Sequence, residues 1–236
     1  MTQRLTTPAV STTDTGIRRA TASTRALLAC GVIAGPLYVV VALLQVLFRD
    51  GFDLSRHPLS LLSLGAWGWI QIANFVVAGL LAMGFAAGLR RVLYPGSGTT
   101  WAPLLVAGYA LGLVAGGVFV ADPALGFPPG TPDGIPDHFS WHGTLHAFAP
   151  PLAGLSLIAA CFVLLRRFAS LGHRAWAIYS ASTGIACLAL SAWPNPETVS
   201  VRLALMILTS CAWVSALAVG LLSKPAITTR YERTAR

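Results

Sequence analysis

The residues best suited to chemistry stand in one stretch, Asp137-His138-Phe139-Ser140-Trp141-His142-Gly143-Thr144-Leu145-His146, which holds three of the chain's five histidines. If residues 138–148 are helical, His138, His142 and His146 fall at i, i+4 and i+8 and share a face about 80° wide. Neighbours in that row are about 6 Å apart along the axis, and its ends about 12 Å. One metal ion, with ligand nitrogens at about 2 Å, can take two adjacent histidines but not all three. Further ligands must come from other loops on the same side of the protein. Catalytic zinc sites combine about three protein ligands with an open position for water. The candidate ligands for zinc or another divalent metal are therefore His142, His146, His57 and Asp122. Of these, His142, His146 and Asp122 are the catalytic candidates, and Asp53, Asp137, His138 and Trp141 are expected to line the surrounding pocket.

A plainer reading stands beside this one. Three histidines on one face also make a polar seam bonded to loop carbonyls and water. The row lacks the glutamate of a His-Glu-x-x-His helix, which would serve as base. Asp137, following Pro136, suits a helix N-cap, where it also meets the positive end of the helix. Asp122 and Asp133 suit turns.

The elements that position these residues follow from composition. Of 236 residues, 55% are hydrophobic and 10% charged, with a mean hydropathy of +0.69. Soluble domains carry about 25% charged residues, so this chain cannot cover a surface facing water on all sides. Runs of about 20 apolar residues match a bilayer core of about 30 Å. Six such runs predict an all-α, polytopic bundle of six transmembrane helices, at about 26–48, 70–89, 101–120, 143–165, 175–193 and 203–222. Residues 1–24, rich in Thr, Ser and Ala, read as a disordered tail, and 223–236 as a second tail. The first run is too long for a signal-peptide core and ends in Phe48-Arg49 rather than at small residues, so it is expected to be retained. Trp67, Trp69, Trp101, Trp141, Trp176 and Trp193 sit near run ends, as an interfacial belt requires.

Of the 16 Lys and Arg residues, all but Arg49, Arg56 and Arg202 fall in the two tails and the second and fourth loops. By the positive-inside rule both termini are cytoplasmic, and loops one, three and five face outward across the cell membrane. That sorting also explains the formal charge of +8 without nucleic acid, which is not expected as a partner. The expected partners are the lipid bilayer and a lipid or small amphiphilic ligand, with homo-oligomers left open. Cys30, Cys161, Cys187 and Cys211 lie inside apolar runs and read as small buried residues. Small residues recur at four-residue spacing, as in Gly31/Gly35, Gly84/Gly88 and Gly108/Gly112/Gly116, which suits close helix packing within one bundle. Gln45, Gln71 and Asn74 are expected to bond across helices. No Asp, Glu, Lys or Arg stands at the centre of a run, which argues against an ion-coupled carrier.

Pro150-Pro151 sharpens the place of His146. Leu152–Leu165 alone makes about 21 Å of helix, too short to span. The span must therefore include His146 and bend at the prolines. Pro150 removes the N–H that would bond the His146 carbonyl, and Pro151 that of Ala147. Such carbonyls inside a bilayer need partners, so His146 is expected to face the bundle interior, beside a pocket beneath loop three.

Loop one contains Arg56-His57-Pro58-Leu59-Ser60, whose Leu/Ser continuation reads as a short interfacial segment. Loop three contains Asp122-Pro123 and Phe127-Pro128-Pro129-Gly130, stiffened by proline. Together with Gly68-Trp69-Ile70-Gln71-Ile72-Ala73-Asn74-Phe75 and Trp141-His142-Gly143-x-x-His146, these motifs resemble the bacterial membrane family called domain of unknown function 998, over roughly Ala26 to Leu222. The resemblance implies a multi-span bundle and transfers neither an activity nor a functional residue. Two functional classes remain open. One is an enzyme carrying out metal-assisted hydrolysis or modification of a lipid-like substrate. The other is a non-catalytic binding or partner protein whose outer polar residues are structural, with a passive permease as a third reading.

Overall fold

The computed structural model describes residues 12–94 and 98–223. Six helices among them are long and apolar enough to cross a membrane. They are α1 (Thr12–Phe48), α2 (Gly68–Leu93), α3 (Trp101–Val118), α4 (Trp141–Ser170), α5 (Arg174–Ala192) and α6 (Val199–Ser223). No strand occurs among the described residues. The apolar part of α1 is Ala22–Phe48, but the helix begins at Thr12. Residues 12–24, expected as disordered tail, are thus helical. The rest of that tail, and the carboxyl tail from residue 224, lie outside the described residues.

Each helix packs against the next, and α6 closes the ring by packing against α1 as well as α5. The glycine stripes sit at these contacts. Gly84 and Gly88 face Leu27 and Cys30 of α1, and Gly31 and Gly35 face Phe85 and the Cys211–Ala218 stretch of α6. At Gly112, an added Cβ would lie 2.7 Å from both the Cβ and backbone nitrogen of Ala153 and 2.9 Å from the Ala149 carbonyl oxygen, so α3 and α4 meet backbone to backbone there. The exterior is apolar, as lipid requires, with Ile33, Leu80, Leu155 and Ile185 exposed. Trp213, the one tryptophan well inside a run, is fully buried and its Nε1 donates to Ser180 Oγ at 3.3 Å.

The expected polar bonds across α1 and α2 are present. Gln45 donates to Gln71 Oε1 at 2.7 Å, Gln71 to the Tyr38 hydroxyl at 3.2 Å, and Asn74 to the Tyr38 carbonyl at 3.1 Å.

Leu59–Ser63 of loop one forms a 3-10 turn with Leu59, Leu61 and Leu62 buried. It packs on α1 and α2 and plugs the end of the ring, because the space inside six helices accepts leucines that water would not.

Candidate functional site

Three groups of side chains occupy the plugged end. The first fastens loop one to loop three. His57, 3% exposed, donates through Nε2 to the Leu125 carbonyl at 3.0 Å. Its Nδ1 accepts the Asp53 backbone N–H at 2.9 Å. Since a carbonyl can only accept and an N–H can only donate, the ring is the neutral Nε2–H form and both nitrogens are occupied. Phe52 and His57 pack on the buried ring of Phe127 at 5.3 and 5.4 Å, and the Arg49 guanidinium lies 5.6 Å from the same ring. Arg49 also donates to the Leu64 carbonyl. Arg56 pairs with Asp133 at 2.9 Å, and Ser200 of α6 donates to the Arg56 carbonyl at 2.7 Å. Asp53 is exposed, and its carboxylate accepts from the hydroxyl and N–H of Ser55 at 2.7 and 2.8 Å. Those bonds, the hydroxyl first, hold its pKa below the usual carboxylate value.

The second group starts α4. Ser140, not Asp137, is the N-cap, and its Oγ accepts the Gly143 N–H at 3.0 Å. Asp122 buttresses it, accepting from Ser140 Oγ at 2.6 Å and Ser140 N at 2.8 Å. His142 Nδ1 lies 2.9 Å from the Val120 carbonyl, 3.0 Å from Ser140 Oγ and 4.0 Å from Asp122 Oδ1. Serine, histidine and aspartate meet here, but they are wired as a cap rather than as a nucleophilic triad. The hydroxyl's single proton goes to Asp122, and the imidazole nitrogen beside Oγ already carries a proton for the Val120 carbonyl. It cannot take one from serine, as a triad base must.

His138 does not join the row. The helix begins three residues after it, and both Asp137 and His138 are exposed in loop three. The reason is the competing cap. Ser140, held by Asp122, starts the helix later than Asp137 would, and this leaves His138 in a bend of loop three. Trp141 is also exposed, edge-on to His142 at 5.5 Å and to Phe119 at 6.3 Å.

His146 belongs to the third group. It is 7% exposed, and its Nδ1 donates to the Phe119 carbonyl at 2.6 Å. His142 and His146 thus cover carbonyls just beyond α3, which ends at Val118. Helix ends leave such acceptors without intrahelical donors, and a histidine is a suitable donor for them. The ring of His146 also lines a cavity of about 70 Å³ enclosed by α2, α3, α4, α6 and loop one. Pro58, Leu59 and Ser60 roof it, so the pocket expected beneath loop three lies beneath loop one. Its wall is apolar apart from His146, Tyr109, Ser60 and Ser210. A groove of about 390 Å³ between α4, α5 and α6 adjoins it, and Pro150, Gly154, Leu203 and Met206 line both.

The four candidate ligands are not gathered into one place. Asp122 and His142 come together, His146 sits a turn deeper against Phe119, and His57 has both nitrogens committed in the first group. Among the described residues no three His, Cys, Asp or Glu side chains converge as a metal centre requires. Sequence reasoning missed Ser140, Tyr109, the Pro58–Ser60 roof and Arg202, which lines the groove. Ser140 was findable as a serine three residues before Gly143. Arg202 was findable as a lone cation opening the last span.

Residues 32–220 match the model of the family described as "Protein of unknown function (DUF998)". No curated protein matches the chain, and no solved structure does.

Proposed function

Because the chain belongs to the family described as "Protein of unknown function (DUF998)", a description that carries no activity, we propose its function from its own geometry: it binds an amphiphile of the bilayer by its apolar chain. One observation carries this reading. An apolar groove of about 390 Å³ between α4, α5 and α6 lies against the about 70 Å³ cavity at His146, inside the ring, and Pro150, Gly154, Leu203 and Met206 line both. The groove falls within the about 300–1,000 Å³ of small-molecule sites. The smaller cavity suits only the end of a chain, being about half the size of an apolar cavity known to take benzene.

The two prolines inside α4 support the same reading. Pro150 lines both spaces and Pro151 the groove, and they leave the carbonyls of His146 and Ala147 without their usual amide donors. His57, Asp122, His142 and His146 are committed to fastening loops and capping helices, which favours binding over chemistry. The proposal places the plugged end on the outer side of the cell membrane with both termini inside, following the Lys/Arg distribution.

The test is retention of amphiphile by the purified protein, read by native mass spectrometry. Gly154 lines both groove and cavity, and a Cβ added there meets only the flexible end of Met206, at 3.2 Å. Gly154→Leu is expected to fold and to lose the bound amphiphile. A folded wild type that retains none, or a folded variant that retains as much, overturns the proposal.

A further inference from the structure

We infer that Arg202 gives the groove a headgroup site, so that its occupant is an anionic phospholipid entering sideways from the bilayer. This rests on the chain-binding reading above and names its ligand class. Arg202 sits about 5 Å along α6 from its first residue. Trp193, 61% exposed and just past the end of α5, lines the same groove. Tryptophan at a helix end marks the headgroup level, so Arg202 lies where a lipid phosphate would be.

The guanidinium has no acidic partner. Its Nε donates to Thr198 Oγ1 at 3.1 Å, Nη1 to the Leu190 carbonyl at 2.8 Å and Nη2 to the Asn195 carbonyl at 2.9 Å. All three acceptors are neutral, and among the described residues no carboxylate forms an ion pair with it. These bonds hold the fork in one orientation while leaving a further N–H on each terminal nitrogen. A pre-oriented guanidinium with both ends free to donate suits a phosphate, which it can hold through two parallel bonds. A lipid phosphate would supply the counter-charge that the described residues do not.

The apolar path continues below it. Leu203 and Met206 follow on α6 and line both spaces, and Ser210 marks the far wall of the cavity. Arg202 to Ser210 is about 12 Å along the helix. A phosphate at Arg202 can therefore run one acyl chain down the groove towards His146. Val199, Leu155 and Pro151 flank the groove, and Leu155, 63% exposed, leaves that flank open to lipid.

The test places the full-length protein in phosphatidylcholine nanodiscs containing a minor fraction of phosphatidylglycerol and measures which lipid stays bound on gentle release. Wild type is expected to enrich phosphatidylglycerol about tenfold, the factor that a charge-assisted hydrogen-bond pair supplies. Arg202→Gln is expected to lose that enrichment while still holding lipid, and Arg202→Lys to keep part of it. Retention of both lipids without preference in wild type overturns the headgroup site and leaves chain binding standing; this arm needs no variant to fold. Retention of neither overturns both. Free glycerol phosphate is expected not to compete. If it does, the site serves a soluble anion and the inference is wrong.

Discussion

His57 Nε2 donates to the carbonyl of Leu125 at 3.0 Å and ties loop one to loop three across 68 residues of sequence. Leu125 holds a left-handed φ of 60°, the one non-glycine residue with positive φ among those described. A left-handed leucine is uncommon and costs energy, so the bond that holds it belongs to a built latch. The latch keeps the Pro58–Ser60 roof over the cavity.

Breaking this latch has a predictable cost. His57→Ala removes the partner of the Leu125 carbonyl and of the Asp53 N–H, two part-buried bonds worth about 0.5–1.5 kcal/mol each. Thermal unfolding in detergent should fall clearly below wild type. An unchanged midpoint would show that the latch does not hold the fold.

The cap of α4 makes a paired prediction. A methyl on Gly143 would overlap the Asp122 carboxylate, so Gly143→Ala must push Asp122 off Ser140, costing about 1–3 kcal/mol. Asp122→Ala removes the obstruction and the buttress together. In a double-mutant cycle the two changes should be clearly non-additive, as groups in contact are. Additive effects would mean that Asp122 and Gly143 are not in contact.

Two glycines one turn apart on α3 should behave differently. At Gly112 an added Cβ meets Ala153 and Ala149 at 2.7–2.9 Å, backbone included, whereas at Gly116 the nearest atom is Phe75 Cε1 at 3.6 Å. Gly112→Ala is expected to destabilise by about 1–3 kcal/mol. Gly116→Ala should be neutral or slightly stabilising, since alanine is the better helix former by up to about 1 kcal/mol. Equal effects in thermal unfolding would contradict the close approach of α3 to α4.

Loop one should respond to acid in a stated direction. The Asp53 carboxylate binds its proton more weakly when folded, chiefly because the Ser55 hydroxyl and N–H donate to it. Its contribution is therefore complete above the ordinary value of 3.8 and is lost as pH falls through the lower folded value. Protease nicking of loop one should rise only in that acidic window. Ser55→Ala, which removes the larger of the two donors, should move the rise to higher pH. A rise already present near neutrality would assign it to another group.

Much of this architecture is legible in the chain because lipid demands long apolar runs. The six spans, their glycine contacts and the Gln45–Gln71 bond all follow from local composition and spacing. The burial of His146 was legible too, since two prolines inside α4 free carbonyls that need partners within the bundle. What escaped depends on contacts between distant segments. Asp122 reaches forward to Ser140 and so decides where α4 starts, leaving His138 outside the helix. The burial of Leu59, Leu61 and Leu62 depends on a ring that closes only when α6 meets α1, so the roof is loop one rather than loop three. His57 looked available as a ligand because its two backbone partners, at Asp53 and Leu125, leave no local mark.

The central claim is that the space beneath loop one holds an apolar chain. The most direct measurement is native mass spectrometry of the wild-type protein and Gly154→Leu, purified side by side in mild detergent. The account predicts a retained amphiphile on wild type and its loss from a variant that unfolds at a similar temperature. Equal retention by both folded proteins, or none by either, would contradict it.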